Sequence, residues 1–137
     1  MAINFTSVLI SGTRSVAVFI VLDLLLEYIA GALFGISAKE EFKNVSFGPR
    51  FLIINFFFLY LEMTLIICVY AIIKPRFSSR IKAGLVTSGI FIIYTLLFTS
   101  HFVNFGMLSI QMYVMFSIFC LIELPAAILA GTLSYKI

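Results

Sequence analysis

The chain has 137 residues, enough for one compact domain, and it is 63% hydrophobic with only 11% charged residues. A water-soluble domain of this size carries about 25% charged residues. The mean hydropathy of +1.20 therefore excludes a soluble globule and leaves lipid as the solvent. The net charge of +3 does not point to nucleic acid, because the basic residues sit in short links and form no stripe.

Residues 1–13 are mostly apolar and uncharged, and read as an interfacial segment or an extension of the first span. A bilayer core needs roughly 20 apolar residues in helix. The first such run covers residues 15–36. Ala30-Gly31-Ala32 has the look of a signal-peptide cleavage site. However, the run before it is too long for a signal sequence and holds two acids, Asp23 and Glu27, so a retained span is expected. Ser37-Ala38-Lys39-Glu40 matches the S-x-x-E capping box. A short surface helix ending before Gly48-Pro49, or an irregular loop, fits that stretch. The second apolar run covers residues 51–73, the third 83–105 and the fourth 108–135.

In lipid every backbone polar group must bond internally, so spans of this length are helices, and none shows the alternation of barrel strands. The expected fold is all-α: one polytopic membrane domain over residues 1–137, an up-down bundle of four transmembrane helices. The link between spans two and three carries Lys74, Arg76, Arg80 and Lys82 without an acid. The positive-inside rule places that link in the cytoplasm. Arg14 before span one and Lys136 after span four fall on the same side, so both termini are expected in the cytoplasm. The same basic link is suited to contact anionic headgroups, at about 1 kcal/mol per charge.

Close approach of helices in lipid relies on small residues. Gly31 and Gly35 form a G-x-x-x-G at the end of span one. Ala127 and Gly131 share that spacing in span four, and Gly84 and Ser88 open span three. The 16 Phe residues are expected to face lipid or fill gaps. Cys68 and Cys120 lie alone in apolar runs, with no metal spacing, and read as small buried hydrophobes.

Four of the six acids fall inside spans: Asp23, Glu27, Glu62 and Glu123. Asp23 and Glu27 are four apart and share one helix face. Asn55 precedes Glu62 by two turns on the same face. A charged acid at the bilayer centre costs roughly 2.5–3.5 kcal/mol on insertion scales. Such acids are expected to be mostly protonated, which suits a proton relay or a site where a cation displaces protons. Hydrogen-bonded glue between helices is the structural alternative. Pro125 frees the carbonyl of Leu121, one turn from Glu123, and gives either a packing kink or a cation or water ligand. His101, Asn104 and Gln111 lie near the outer ends of spans three and four, as interfacial residues or an outer polar cluster.

Two stretches resemble a family of small, uncharacterised bacterial four-helix membrane proteins. One is Val69-Tyr70-Ala71-Ile72-Ile73-Lys74-Pro75-Arg76-Phe77, followed by Ala83-Gly84-Leu85. The other is Glu123-Leu124-Pro125 leading into Ala130-Gly131 and Tyr135-Lys136. Members of that family share a Tyr-Ala-x-x-Lys/Arg-Pro-Arg-Phe turn, a Glu-x-Pro in the last helix and an acid in the first, here best matched by Glu27. The chain departs from them in Ser78-Ser79, where glycine and proline are usual. The resemblance covers most of the chain after about residue 15, and implies a fold, a topology and a bacterial inner-membrane location, but no activity.

Three functions compete. The leading expectation is a non-enzymatic membrane protein, an assembly or accessory subunit acting with itself or a larger membrane complex. The second is a small dimeric proton-coupled or cation transporter using the midplane carboxylates. An intramembrane enzyme comes last, since no nucleophile–base pair, His-rich metal set or phosphate-cradling loop is present. No catalytic residue, metal site or cofactor is expected, and the partners are the bilayer and a homo-oligomer or membrane-protein partner.

Overall fold

The computed structural model describes residues 3–35 and 48–135. Among these residues it contains four long helices and no strand: α1 (Phe5–Phe34), α2 (Pro49–Ile73), α3 (Arg80–Asn104) and α4 (Ile110–Ser134). All four are long and apolar enough to cross a membrane. A helix of 25 residues is about 37 Å long at about 1.5 Å per residue, which exceeds a bilayer core and leaves both ends among headgroups. The protein is a small all-α membrane protein. The Ser37–Glu40 motif and Lys136 lie outside the described residues.

Local chemistry sets the ends. The Asn4 side chain accepts from the Ser7 N–H and caps α1, so the helix begins at Phe5 rather than near residue 15. Arg14 is thus inside α1. Helical side chains tilt towards the N-terminus, and Arg14 uses that tilt to donate to the Ser134 hydroxyl at the end of α4. Gly35 ends α1 in the left-handed region at φ 64°, its N–H on the Gly31 carbonyl. The α3–α4 turn is a Schellman motif. The Met107 N–H bonds to the Phe102 carbonyl at 2.8 Å and the Gly106 N–H to the Val103 carbonyl at 2.9 Å, with Gly106 at φ 69°. A short 3₁₀ turn, Lys74–Arg76, joins α2 to α3.

The helices form a ring in chain order. α1 and α4 share the most extensive contact, followed by α4 with α3 and α1 with α2. α2 and α3 touch least of the ring neighbours although they are consecutive. The two halves of the bundle differ for a reason visible in the side chains. At the basic end, near the Lys74–Arg76 turn, Ser7, Ser11 and Ser15 repeat every fourth residue along α1 and are all buried. They bring α1 against α4, where a Cβ added to Gly131 would fall on the Ser15 hydroxyl and lie 2.9 Å from the Ser11 carbonyl oxygen. A Cβ at Gly12 would lie 2.8 Å from the Thr64 hydroxyl of α2. Ala83, Gly84, Thr87 and Ser88 supply the small face of α3. Thr87 and Ser88 return their hydroxyls to carbonyls of their own helix, so their burial leaves no donor unmet.

Three apolar clusters succeed one another from this end. Val8, Ile67, Tyr70, Ala71, Ala83 and Tyr135 form the first, with Tyr70 and Tyr135 edge to face at 5.9 Å. Val16, Met63, Ile66, Cys120, Leu124 and Ile128 form the second. The third, Ala30, Leu108, Met112, Met115 and Phe119, contains nothing from α2. Residues 52–58 of α2, Leu-Ile-Ile-Asn-Phe-Phe-Phe, are exposed on every side. They include no small residue to admit a neighbour, so α2 diverges from the bundle at the end away from the basic turn.

Of the small-residue motifs, Ala127 and Gly131 are buried, as are Gly84 and Ser88. Gly31 and Gly35 are exposed, and their role is to end a helix. Replacing Gly131 with Ala forces the α1–α4 crossing apart, and a loss of about 1–3 kcal/mol in stability is expected from overpacking. Gly89→Ala, where an added Cβ meets nothing within 4 Å, is expected to be neutral or slightly stabilising. Unfolding of both variants in mixed micelles checks the difference.

Candidate functional site

The divergence of α2 leaves a cavity of about 630 Å³ on the side of the bundle away from the basic turn. Each helix contributes a polar group to its wall. α1 gives Asp23, α2 gives Glu62, α4 gives Glu123, and α3 gives Thr95 and Thr99. The two threonines are four apart and so share a face, with the Thr99 hydroxyl donating to the Thr95 carbonyl at 2.7 Å. The rest of the wall is apolar and strongly aromatic. Phe19 lies on α1, Phe98 and Phe102 on α3, and Phe116 and Phe119 on α4, with Met63 and Met107 between them.

The acids occupy different depths in the wall. Glu123 is 4% exposed, and its Oε1 has no hydrogen-bond partner. Asp23 is half-buried and close enough to Glu123 for the two to act on each other electrostatically. Glu62 lies at the rim and is exposed on the flank. Cys120, also in the wall, is within electrostatic reach of both Glu62 and Glu123. Among the described residues no Lys, Arg or His lines the cavity. Three carboxyls thus face one largely apolar space, open on the flank at Glu62, with no cation supplied by the described residues. An unpaired carboxylate in such a place is costly.

Three of the four intramembrane acids therefore meet in one place. Glu27 is half-buried one turn beyond Asp23 and does not line the cavity. Asn55 is exposed on the free part of α2. His101, Asn104 and Gln111 are exposed near the α3–α4 turn and take no part in the wall. Lys74 is half-buried, with its ammonium 3.4 Å from the Phe77 carbonyl, whereas Arg76, Arg80 and Lys82 are exposed at the basic end. Pro125 is accommodated within an unbroken α4, and Leu121, whose carbonyl it frees, is exposed and outside the wall. The sequence reading missed Thr95, Thr99 and the aromatic wall. The four-residue spacing of the threonines was their only signal, and it is shared by many lipid-facing pairs.

No set of three or more His, Cys, Asp or Glu side chains among the described residues is placed to hold a metal ion. No known family, curated protein or solved structure matches the chain.

Glu123 Oε1, like the Ser11 and Ser15 hydroxyls, is buried without a hydrogen-bond partner among the described residues, and its substitution tests whether the acid holds helices together. Interhelix glue would be hydrogen-bonded, and removing it would destabilise the bundle. An orphaned buried oxygen carries a desolvation penalty of about 1–3 kcal/mol. Glu123→Met, similar in size and apolar, is therefore expected to leave the melting temperature in detergent unchanged or to raise it. A fall would show that Glu123 holds helices together.

Proposed function

We propose that this protein is a small membrane carrier that exchanges protons for a cation at the Asp23–Glu62–Glu123 cavity. The convergence of three acids from three helices on one cavity, without a basic partner among the described residues, carries this reading. Acids kept only for packing would be paired locally, pair by pair. Acids gathered around an open space are arranged for something that fills it. Protonated carboxyls keep the empty cavity neutral, and a cation that enters releases protons, so the two are coupled by charge alone.

Four helices seldom enclose a full path, so a carrier of this size works as a homodimer. The basic end faces the cytoplasm in this account, supported by Lys74, Arg76, Arg80 and Lys82 at one end of the bundle and by Arg14 reaching towards it. The cavity then opens in the outer half of the membrane. By its family resemblance, that membrane is a bacterial inner membrane.

A role as an accessory subunit of a larger complex is the second reading. It is favoured by residues 52–58 of α2, which are exposed on every side and include the polar Asn55. A membrane partner packed there would supply the neighbour that the chain itself lacks.

Reconstitution separates the two. In liposomes with an imposed pH gradient, the carrier is expected to release protons on addition of a transported cation, read by a trapped pH-sensitive dye. Glu123→Gln is expected to abolish the response with the fold intact, and Glu27→Gln to retain it. Absence of flux with every cation tried, together with stoichiometric foreign subunits in native mass spectrometry of the purified protein, would replace the carrier with the accessory subunit.

A further inference from the structure

The cation that fits this cavity is organic, with an apolar or aromatic body, and it reaches the site sideways from the hydrocarbon. This rests on the reading of the cavity as a cation site, and three features of that cavity narrow the ligand.

Size and donor geometry come first. An inorganic ion needs several oxygen ligands gathered at short range. The acids surround a space of about 630 Å³, and no cluster of three or more potential ligands is placed to hold a metal ion among the described residues. That volume lies within the range of about 300–1,000 Å³ typical of pockets for drug-sized molecules.

The wall is the second feature. Phenyl faces and methionine thioethers attract a delocalised or poorly hydrated cation through the ring quadrupole and sulfur polarisability. They offer nothing to replace the water shell of a small hard ion. Glu123 supplies the polar end. It is more than nine-tenths buried, it lines the cavity, and its Oε1 has no partner among the described residues. One buried, unpaired acceptor among aromatic rings is a counter-charge for a single bulky cation.

The third feature is the opening. Beyond Glu62, α2 contributes no wall, and its residues 52–58 are exposed. On the other side of the same seam, Tyr94, Leu97 and Phe98 of α3 are exposed. The wall is thus incomplete on this flank, within the apolar spans, and a ligand entering there comes from the lipid. We infer that the protein binds lipophilic organic cations in the Asp23–Glu62–Glu123 cavity, through the α2–α3 seam.

The test is binding of tetraphenylphosphonium to the full chain in detergent, by equilibrium dialysis against protein-free micelles. Saturable binding is expected, unaffected by excess sodium or magnesium. Glu123→Gln is expected to weaken it by about tenfold or more, through loss of a buried counter-charge, and Glu27→Gln to leave it unchanged. Thr99→Trp, which fills the cavity from α3 without touching an acid, is expected to block binding in a protein that still melts cooperatively. Binding no stronger than to empty micelles, binding equal in wild type and Glu123→Gln, or displacement by magnesium would overturn the inference. Access is read separately in liposomes from Phe98→Trp, the sole tryptophan in that chain. Quenching by lipids with brominated acyl chains is expected, and quenching by aqueous iodide instead would overturn the sideways route. The ligand class and the carrier reading fail differently. Tetraphenylphosphonium binding without proton release contradicts transport alone, whereas sodium-driven proton release without tetraphenylphosphonium binding contradicts the ligand class alone.

Discussion

The close approach of α1 and α4 at Gly131 is the constraint on which the rest of this structure depends. Lipid gives helices no hydrophobic reason to associate, so contact must come from backbones that can come near one another. Ser11 and Ser15 on α1 and Gly131 on α4 provide it, with no room for even one added methyl group. α3 joins through Ala83, Gly84, Thr87 and Ser88, and α2 through Thr64 against Gly12. All of these lie in the half of the bundle nearest the basic turn. Beyond them the facing residues are mostly phenylalanine, methionine and leucine, which hold helices apart.

A bundle clasped at one end and parted at the other has a cavity as its direct result. The aromatic side chains that keep the far half apart are the ones that line it. Asp23, Glu62 and Glu123 sit where the tight half gives way to the wide half, and so face the same space from different sides. Small residues, wide cavity and buried acids are then consequences of one packing gradient. A single mutation that changed the α1–α4 crossing would alter the cavity far from its own position, because α1 and α4 each carry one of the acids.

Much of the fold was legible in the sequence, and the reasons mark where legibility stops. Apolar runs long enough for a bilayer identify the helices by length alone, and ionisable residues within such runs stand out because their cost in lipid is large. Asp23, Glu62 and Glu123 were visible on that ground. Which way each helix faces was much less visible, because helices that are apolar all round have no stripe to orient them. Gly31 and Gly35 have the packing spacing, yet a Cβ at Gly35 would meet nothing, while Ser11 and Ser15, also four apart, lie against Gly131. Thr95 and Thr99 became site residues only once α3 was turned towards Cys120 and Glu123. In the sequence Arg14 marks the edge of the first apolar run, whereas in the structure it lies inside α1. The side chain's reach to Ser134 is compatible with a helix that begins at Phe5, nearly three turns before residue 15.

The central claim is that Glu62 and Glu123 face a shared cavity open to the hydrocarbon and lose their protons to a cation. Reaction with a hydrophobic carbodiimide tests it most directly, since that reagent dissolves in the bilayer and modifies protonated carboxyls it can reach. With the protein in liposomes, mass spectrometry is expected to find adducts on Glu62 and Glu123 and not on Glu27, and prior addition of tetraphenylphosphonium is expected to suppress them. Adducts on Glu27 alone, or modification of Glu62 and Glu123 that the cation leaves unchanged, would contradict the account.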